Sequence, residues 1–132
     1  MKHLLDTHVL VWWLAGDKKL RREHAKILQR SEQAGTSVGI SAISLWEIAK
    51  LVERGRVVLD QAVDEALSAV EANSFLHVVP VSARIAVEST RLGANFPSDP
   101  VDQLIAATAR CLGLTLLTVD ERIIKASVVS TS

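Results

Sequence analysis

Five carboxylates are spaced so that they could act together. Asp6 follows the apolar pair Leu4-Leu5 and Glu47 follows Leu45-Trp46. Asp99 and Asp102 stand three apart in Asp-Pro-Val-Asp, and Asp120 closes the branched run Leu114 to Val119. Acids held in semi-buried surroundings repel one another and stay ionised only with cations between them. An oxygen-only donor set suits Mg²⁺ or Mn²⁺, which keep several waters and complete their shells with substrate phosphates. Two such ions bridged by a shared carboxylate can activate water and stabilise the leaving oxygen of a phosphodiester. The hydroxyls of Thr7 and Thr118, beside Asp6 and two residues from Asp120, are suited to orienting a carboxylate or a water.

Each residue also has a plain structural account. Asp6, Asp99 and Asp120 are good helix caps, Asp102 favours a helix dipole, and Glu47 can pair with Lys50. The threonines are equally at home as solvated strand ends. Taken singly these accounts are no worse than the chemical one. Convergence is what distinguishes them, and it depends on the elements that carry the acids.

Four short runs read as strands covered on both faces: His3 to Leu5, Ser37 to Ser41, Leu76 to Val81 and Leu114 to Val119. Helical patterns fill the gaps, two to each connection: Val9–Ala15 and Leu20–Ala34; Ile43–Arg54 and Asp60–Asn73; then one capped by Ser82 and ending near Gly93, and one opened by Asp99-Pro100 and closed at Gly113. Asp120 caps a last turn through Ile124, and Ser127 to Val129 are expected to add a small edge strand. The pattern predicts an α/β three-layer sandwich with a central, mostly parallel sheet of four to five short strands and right-handed crossovers. Residues 1–132 read as a single domain. Strand C-termini and the helix N-termini that follow them share one sheet edge, where ligands bind in open α/β folds. All five acids map to that edge.

Other chemistries fare worse. One cysteine, Cys111, excludes an internal disulfide and any cysteine-built zinc site, and suits a reducing cytosol. Its apolar helical setting predicts an inert core thiol. His8 is expected to be a local hydrogen-bond partner, since no Ser or Cys nucleophile context accompanies it. There is no Gly-rich phosphate loop. A phosphoacceptor receiver would need an acidic pair after the first strand and a lysine after the last; neither is evident. Lys and Arg balance Asp and Glu at fifteen each, so no bulk field advertises nucleic acid or membrane. The Leu4 to Ala15 stretch is interrupted by Asp6 and His8, and no run reaches membrane-span length, so a cytoplasmic protein is expected.

Four blocks resemble the successive motifs of PIN-domain proteins, nearest to the VapC-type toxins of toxin–antitoxin pairs: Leu4-Leu5-Asp6-Thr7-His8, Ile40 to Ile48, Asp99 to Ala109, and Leu117-Thr118-Val119-Asp120. They occur in the family's order and span essentially the whole chain. The resemblance implies a Mg²⁺- or Mn²⁺-dependent endoribonuclease using metal-activated water, neutralised by a cognate VapB-type antitoxin and homodimeric within the toxin–antitoxin complex. By motif, Asp6, Glu47, Asp102 and Asp120 match the family's four acids, and Asp99 is an accessory ligand or only a cap. Ser98 stands where a subgroup often has Arg, and His8 where many members have Asn. The alternative is a non-catalytic RNA- or protein-binding module on the same fold, which loss of an acid would favour.

With two divalent ions bound the protein would become cationic, and Lys18, Lys19, Arg21, Arg22, Lys26 and Arg30 could extend that field, or form only a solvated helix face. Adjacent Trp12 and Trp13 point about 100° apart on a helix, so one of them could serve as a surface contact, while core packing is the default for at least two of the three tryptophans.

Overall fold

A computed structural model describes residues 1–132. In chain order the elements are β1 (His3–Leu5), α1 (Thr7–Ala15), α2 (Arg22–Gln33), β2 (Val38–Ser41), α3 (Ala42–Glu53), α4 (Val63–Ala72), β3 (Leu76–Val79), α5 (Ala83–Glu88), α6 (Pro100–Leu112), β4 (Thr115–Leu117) and α7 (Glu121–Ala126). The four strands form one sheet in the order β3-β2-β1-β4, and every pairing is parallel. Two helices occupy each crossover, as the sequence predicts. β1 is interior, paired Leu4 to Gly39 on one side and Leu4 to Leu116 on the other.

Such short strands hold because neighbouring residues serve opposite faces. Leu4 and Leu116 pack with Ile85, Phe96, Val101, Ile105 and Ile123, from α5 through α7. Leu5 and Leu117 pack with Val9, Leu10, Leu28, Ile48 and Val70, from α1 through α4. All four of these leucines are fully buried, and burying each contributes about 2 kcal/mol. Gly39 leaves room for the side chains above it, since a Cβ there would stand 3.1 Å from Leu4 Cδ1 and 3.0 Å from Met1 Sδ. In α6 the small side chains of Ala106, Ala107 and Ala109 are fully buried, which lets this helix lie close to its neighbours. Gly113 closes α6 at φ 64°, a left-handed conformation that suits glycine.

Two expectations are corrected, and the default for the tryptophans holds. The helix after Ser82 stops at Glu88 rather than near Gly93, because the Ser89 and Thr90 hydroxyls donate to the Ala86 and Val87 carbonyls at 2.6 and 2.7 Å and compete with the ladder. Residues 127–129 form no strand; the chain meets β4 only later, by a parallel bridge between Thr131 and Leu116. Neither Trp12 nor Trp13 is exposed. Trp13 packs on Phe75 and Trp12 leans on His8, whereas Trp46 is 51% exposed. Cys111 is half-buried against the α5–α7 side of the core rather than within it. No helix is long and apolar enough to cross a membrane.

Candidate active site

Strand order reverses between β1 and β4, so the crevice at their C-terminal ends is where an open α/β sheet takes ligands. Asp6 stands at that point. Its own N–H donates to the Leu117 carbonyl at 3.0 Å, tying it to β4. Its extended backbone lets it cap α1, with Oδ1 accepting from the Thr7 N–H at 2.9 Å. Oδ2 accepts from the Thr118 hydroxyl at 2.7 Å. The same Thr118 oxygen accepts the Asp120 N–H at 3.1 Å, so one buried threonine fixes both strand-end acids.

Glu47 comes from α3, one to two turns after β2. Beneath it the fully buried Thr7 hydroxyl meets Ser44 Oγ at 3.0 Å, joining the first turns of α1 and α3. Lys50 pairs with Glu53 at 3.0 Å rather than with Glu47, so the helical ion pair open to Glu47 is not made. Asp99 is exposed and caps α6 by accepting the Val101 N–H at 2.9 Å. Asp102 lies one turn on, its side chain 14% exposed. Asp120 caps α7 and is gripped by Arg122, whose Nη2 lies 2.9 Å from Oδ2 and whose Nε lies 3.2 Å from Oδ1.

The electrostatics of the rim follow from this. Burial pushes the Asp6 carboxyl up, against the hydrogen bonds from Thr118 and Thr7. Burial also raises Glu47, helped by the charges of Asp6 and Asp99 and opposed by the Thr7 hydroxyl. Asp102 is pushed up to about 7, first by burial and then by Asp6, Asp99, Asp120 and Glu47 together. Asp120 moves the other way, because Arg122 holds it ionised. Asp102 is thus the one acid on which the charges of the other four converge.

The side chains share the rim without closing on a single point: no three Asp, Glu, His or Cys groups come together tightly enough to enclose an ion as they stand. Arg122 stands between two of them, its Nη2 2.9 Å from Asp120 Oδ2 and 3.8 Å from Asp102 Oδ2. The donor set nevertheless fits a hard divalent cation. It is all oxygen, it is partly desolvated, and the only ion pairs that offset its negative charge are those of Arg122 with Asp120 and Asp102. An apolar cleft of about 330 Å³, lined by Val11, Leu14, Ile48, Leu67 and Val70 among others, contains none of the five acids.

Two residues of this edge escaped the sequence reading. Ser44 carried a signal, since it precedes Glu47 by one helical turn. Arg122 carried one too, in its position two residues after Asp120, where a long side chain can fold back on the cap.

Comparison with known proteins identifies the family and the fold. Residues 3–129 match the PIN domain family. Ribonuclease VapC22 of Mycobacterium tuberculosis is 32% identical over 120 residues, covering 91% of this chain and 88% of that protein. The fold is shared with VapBC2 from Rickettsia felis, crystallised bound to a DNA fragment from its promoter (TM-score 0.73, 18% identity, 100% of this chain and 98% of that one). It is shared also with VapC20 of M. tuberculosis, a sarcin-ricin loop cleaving toxin (TM-score 0.70, 21% identity, 96% and 95%).

Proposed function

The chain belongs to the PIN-domain family, among its VapC-type toxins, and from that premise we propose that it is a Mg²⁺- or Mn²⁺-dependent endoribonuclease neutralised by a cognate VapB-type antitoxin. The observation that carries this reading is Asp102, a carboxyl pushed up to about 7 by burial and by four neighbouring acids. A site that concentrates unmatched negative charge in this way is built to receive cations. Asp6, Glu47, Asp102 and Asp120 would hold them, with Asp99 as an outer ligand. When bound, the metal supplies a polarised water as nucleophile and neutralises charge on the scissile phosphodiester.

The protein's own part is positioning. Thr118 fixes Asp6 and the backbone of Asp120 in one register, and Thr7 with Ser44 holds the start of α1 against the turn that carries Glu47. Attack in line would leave a 5′-phosphate and a 3′-hydroxyl. Among its relatives, VapC22 is a ribonuclease and VapC20 cleaves the sarcin-ricin loop, which supports RNA as the substrate. Toxin–antitoxin complexes among the similar folds support an antitoxin as partner; a homodimer within such a complex is part of the same proposal.

The test is cleavage of RNA by the purified protein with Mg²⁺ or Mn²⁺. Cutting that stops with EDTA and in Asp6→Asn is the expected result. Cutting that survives both, or RNA and antitoxin binding with no cutting under any divalent ion, overturns it in favour of a different chemistry or a purely binding role.

A further inference from the structure

Arg122 is the only basic side chain ion-paired with the five rim acids. Its fork engages both oxygens of Asp120, and its Nη2 lies 3.8 Å from Asp102 Oδ2, leaning toward the centre of the rim. No ion can use the Asp120 carboxylate fully while that fork is closed. Nothing else holds the guanidinium, however: the side chain is 69% exposed. The Asp120 cap does not depend on it either, because Oδ1 also accepts the backbone N–H of Arg122 at 2.9 Å. The side chain can swing away and leave α7 capped. A planar guanidinium matches phosphate as well as carboxylate.

We propose that Arg122 alternates between two anionic partners: it is the resident counter-ion of Asp120 and Asp102, and when divalent ions take those carboxylates it is released toward the RNA and pairs with a backbone phosphate beside the cut. This rests on the metal-dependent reading above. It makes Arg122 a competitor of the metal and an ally of the substrate, so its removal acts on the two with opposite sign. A merely structural arginine would weaken both.

Two equilibrium measurements separate these outcomes, on the wild type, Arg122→Gln and Arg122→Lys. Mn²⁺ affinity is read by calorimetry without RNA. RNA affinity is read by fluorescence anisotropy on a short labelled RNA, with Ca²⁺ replacing Mg²⁺ to hold cleavage off. Arg122→Gln is expected to bind Mn²⁺ about three- to tenfold more tightly and RNA about threefold or more weakly. Arg122→Lys, which keeps the charge and loses the fork, is expected to tighten Mn²⁺ less and to hold RNA near the wild-type level. Mn²⁺ affinity that is unchanged or weaker in Arg122→Gln overturns the counter-ion role, and unchanged RNA affinity overturns the phosphate role. A wild type that binds no Mn²⁺ overturns the metal-dependent reading and this inference with it.

Discussion

Asp6 and Asp120 follow adjacent strands and share one threonine, yet they are stabilised by opposite means. Asp6 is supported by uncharged donors, the Thr7 N–H and the Thr118 hydroxyl, and burial still pushes its carboxyl up. Asp120 is supported by a cation and moves down. Asp102 lies between these regimes, with Arg122 3.8 Å away, and rises to about 7. The β1 side of the rim thus has fixed geometry without an ion pair, with His8 nearby as the only charge that favours the ionised forms of Asp6 and Glu47. The α7 side has an ion pair on a movable side chain. Any cation from outside is needed most where the protein has provided only geometry.

The sharpest way to break that contrast is to neutralise each end in turn. Asp6→Asn keeps the shape and the acceptor that caps α1, but removes the central charge. RNA cleavage is expected to fall by about a thousandfold or more, with a normal circular dichroism spectrum. Asp120→Asn removes a charge that Arg122 already offsets, and a loss of about ten- to a hundredfold is expected in the same assay. Equal losses at both positions would abolish the distinction.

The second test uses protons in place of metal. Between the exposed value of 3.8 and about 7, the native protein binds a proton at Asp102 that the unfolded chain has released. Stability of the metal-free protein must therefore fall as pH rises through that window. The raised Asp6 and Glu47 act in the same direction. Asp120 opposes them, contributing stability above its unfolded value that is lost in acid. A net decline of about 2–4 kcal/mol is expected from urea unfolding in EDTA between pH 4 and 7. Asp102→Asn should flatten most of it, and Mg²⁺ or Mn²⁺ should flatten it in the wild type. A wild-type slope that persists in Asp102→Asn would place the unmatched charge elsewhere.

The same contrast explains what could be read from the chain. Asp6, Asp99 and Asp120 were legible because each follows or opens a regular element, and an acid at such a boundary has few places to go. Leu4-Leu5 and Leu116-Leu117 announced buried strands because a doubly covered sheet needs apolar residues on both faces. Pairings of flexible side chains were not legible. Lys50 had Glu47 three residues before it and Glu53 three residues after it, and helical spacing cannot choose between them. The fork of Arg122 on Asp120 depends on rotamers, and the Thr131 bridge depends on where a tail happens to meet β4. Trp46 is exposed and the Trp12–Trp13 pair is not, because tertiary neighbours such as Phe75 decide burial.

A smaller effect probes the shared threonine. Thr118→Val nearly conserves volume but takes a donor from Asp6 and an acceptor from the Asp120 N–H, both at a buried position. A stability loss of about 1–3 kcal/mol is expected by urea unfolding. Cleavage should drop about tenfold as the two acids lose their common register. Because Asp6 has no ion pair to fall back on, its carboxyl should rise further, whereas Asp120 keeps Arg122. Carbonyl-labelled NMR titration of both aspartates distinguishes the two responses, and a shift at Asp120 larger than that at Asp6 would contradict the asymmetry.

The smallest expected effect is at Asp99, which is exposed and caps α6 through the Val101 N–H. Serine fills the same capping role, so Asp99→Ser should change stability by no more than about 0.5 kcal/mol. What it removes is one of the four charges that press on Asp102. The Asp102 titration should therefore move down toward the ordinary carboxylate range, only in part, because burial and three other acids remain. Mn²⁺ affinity measured by calorimetry should weaken about two- to threefold if Asp99 serves as an outer charge. A loss of a hundredfold or more would instead make Asp99 a direct ligand and extend the uncompensated side of the rim onto α6.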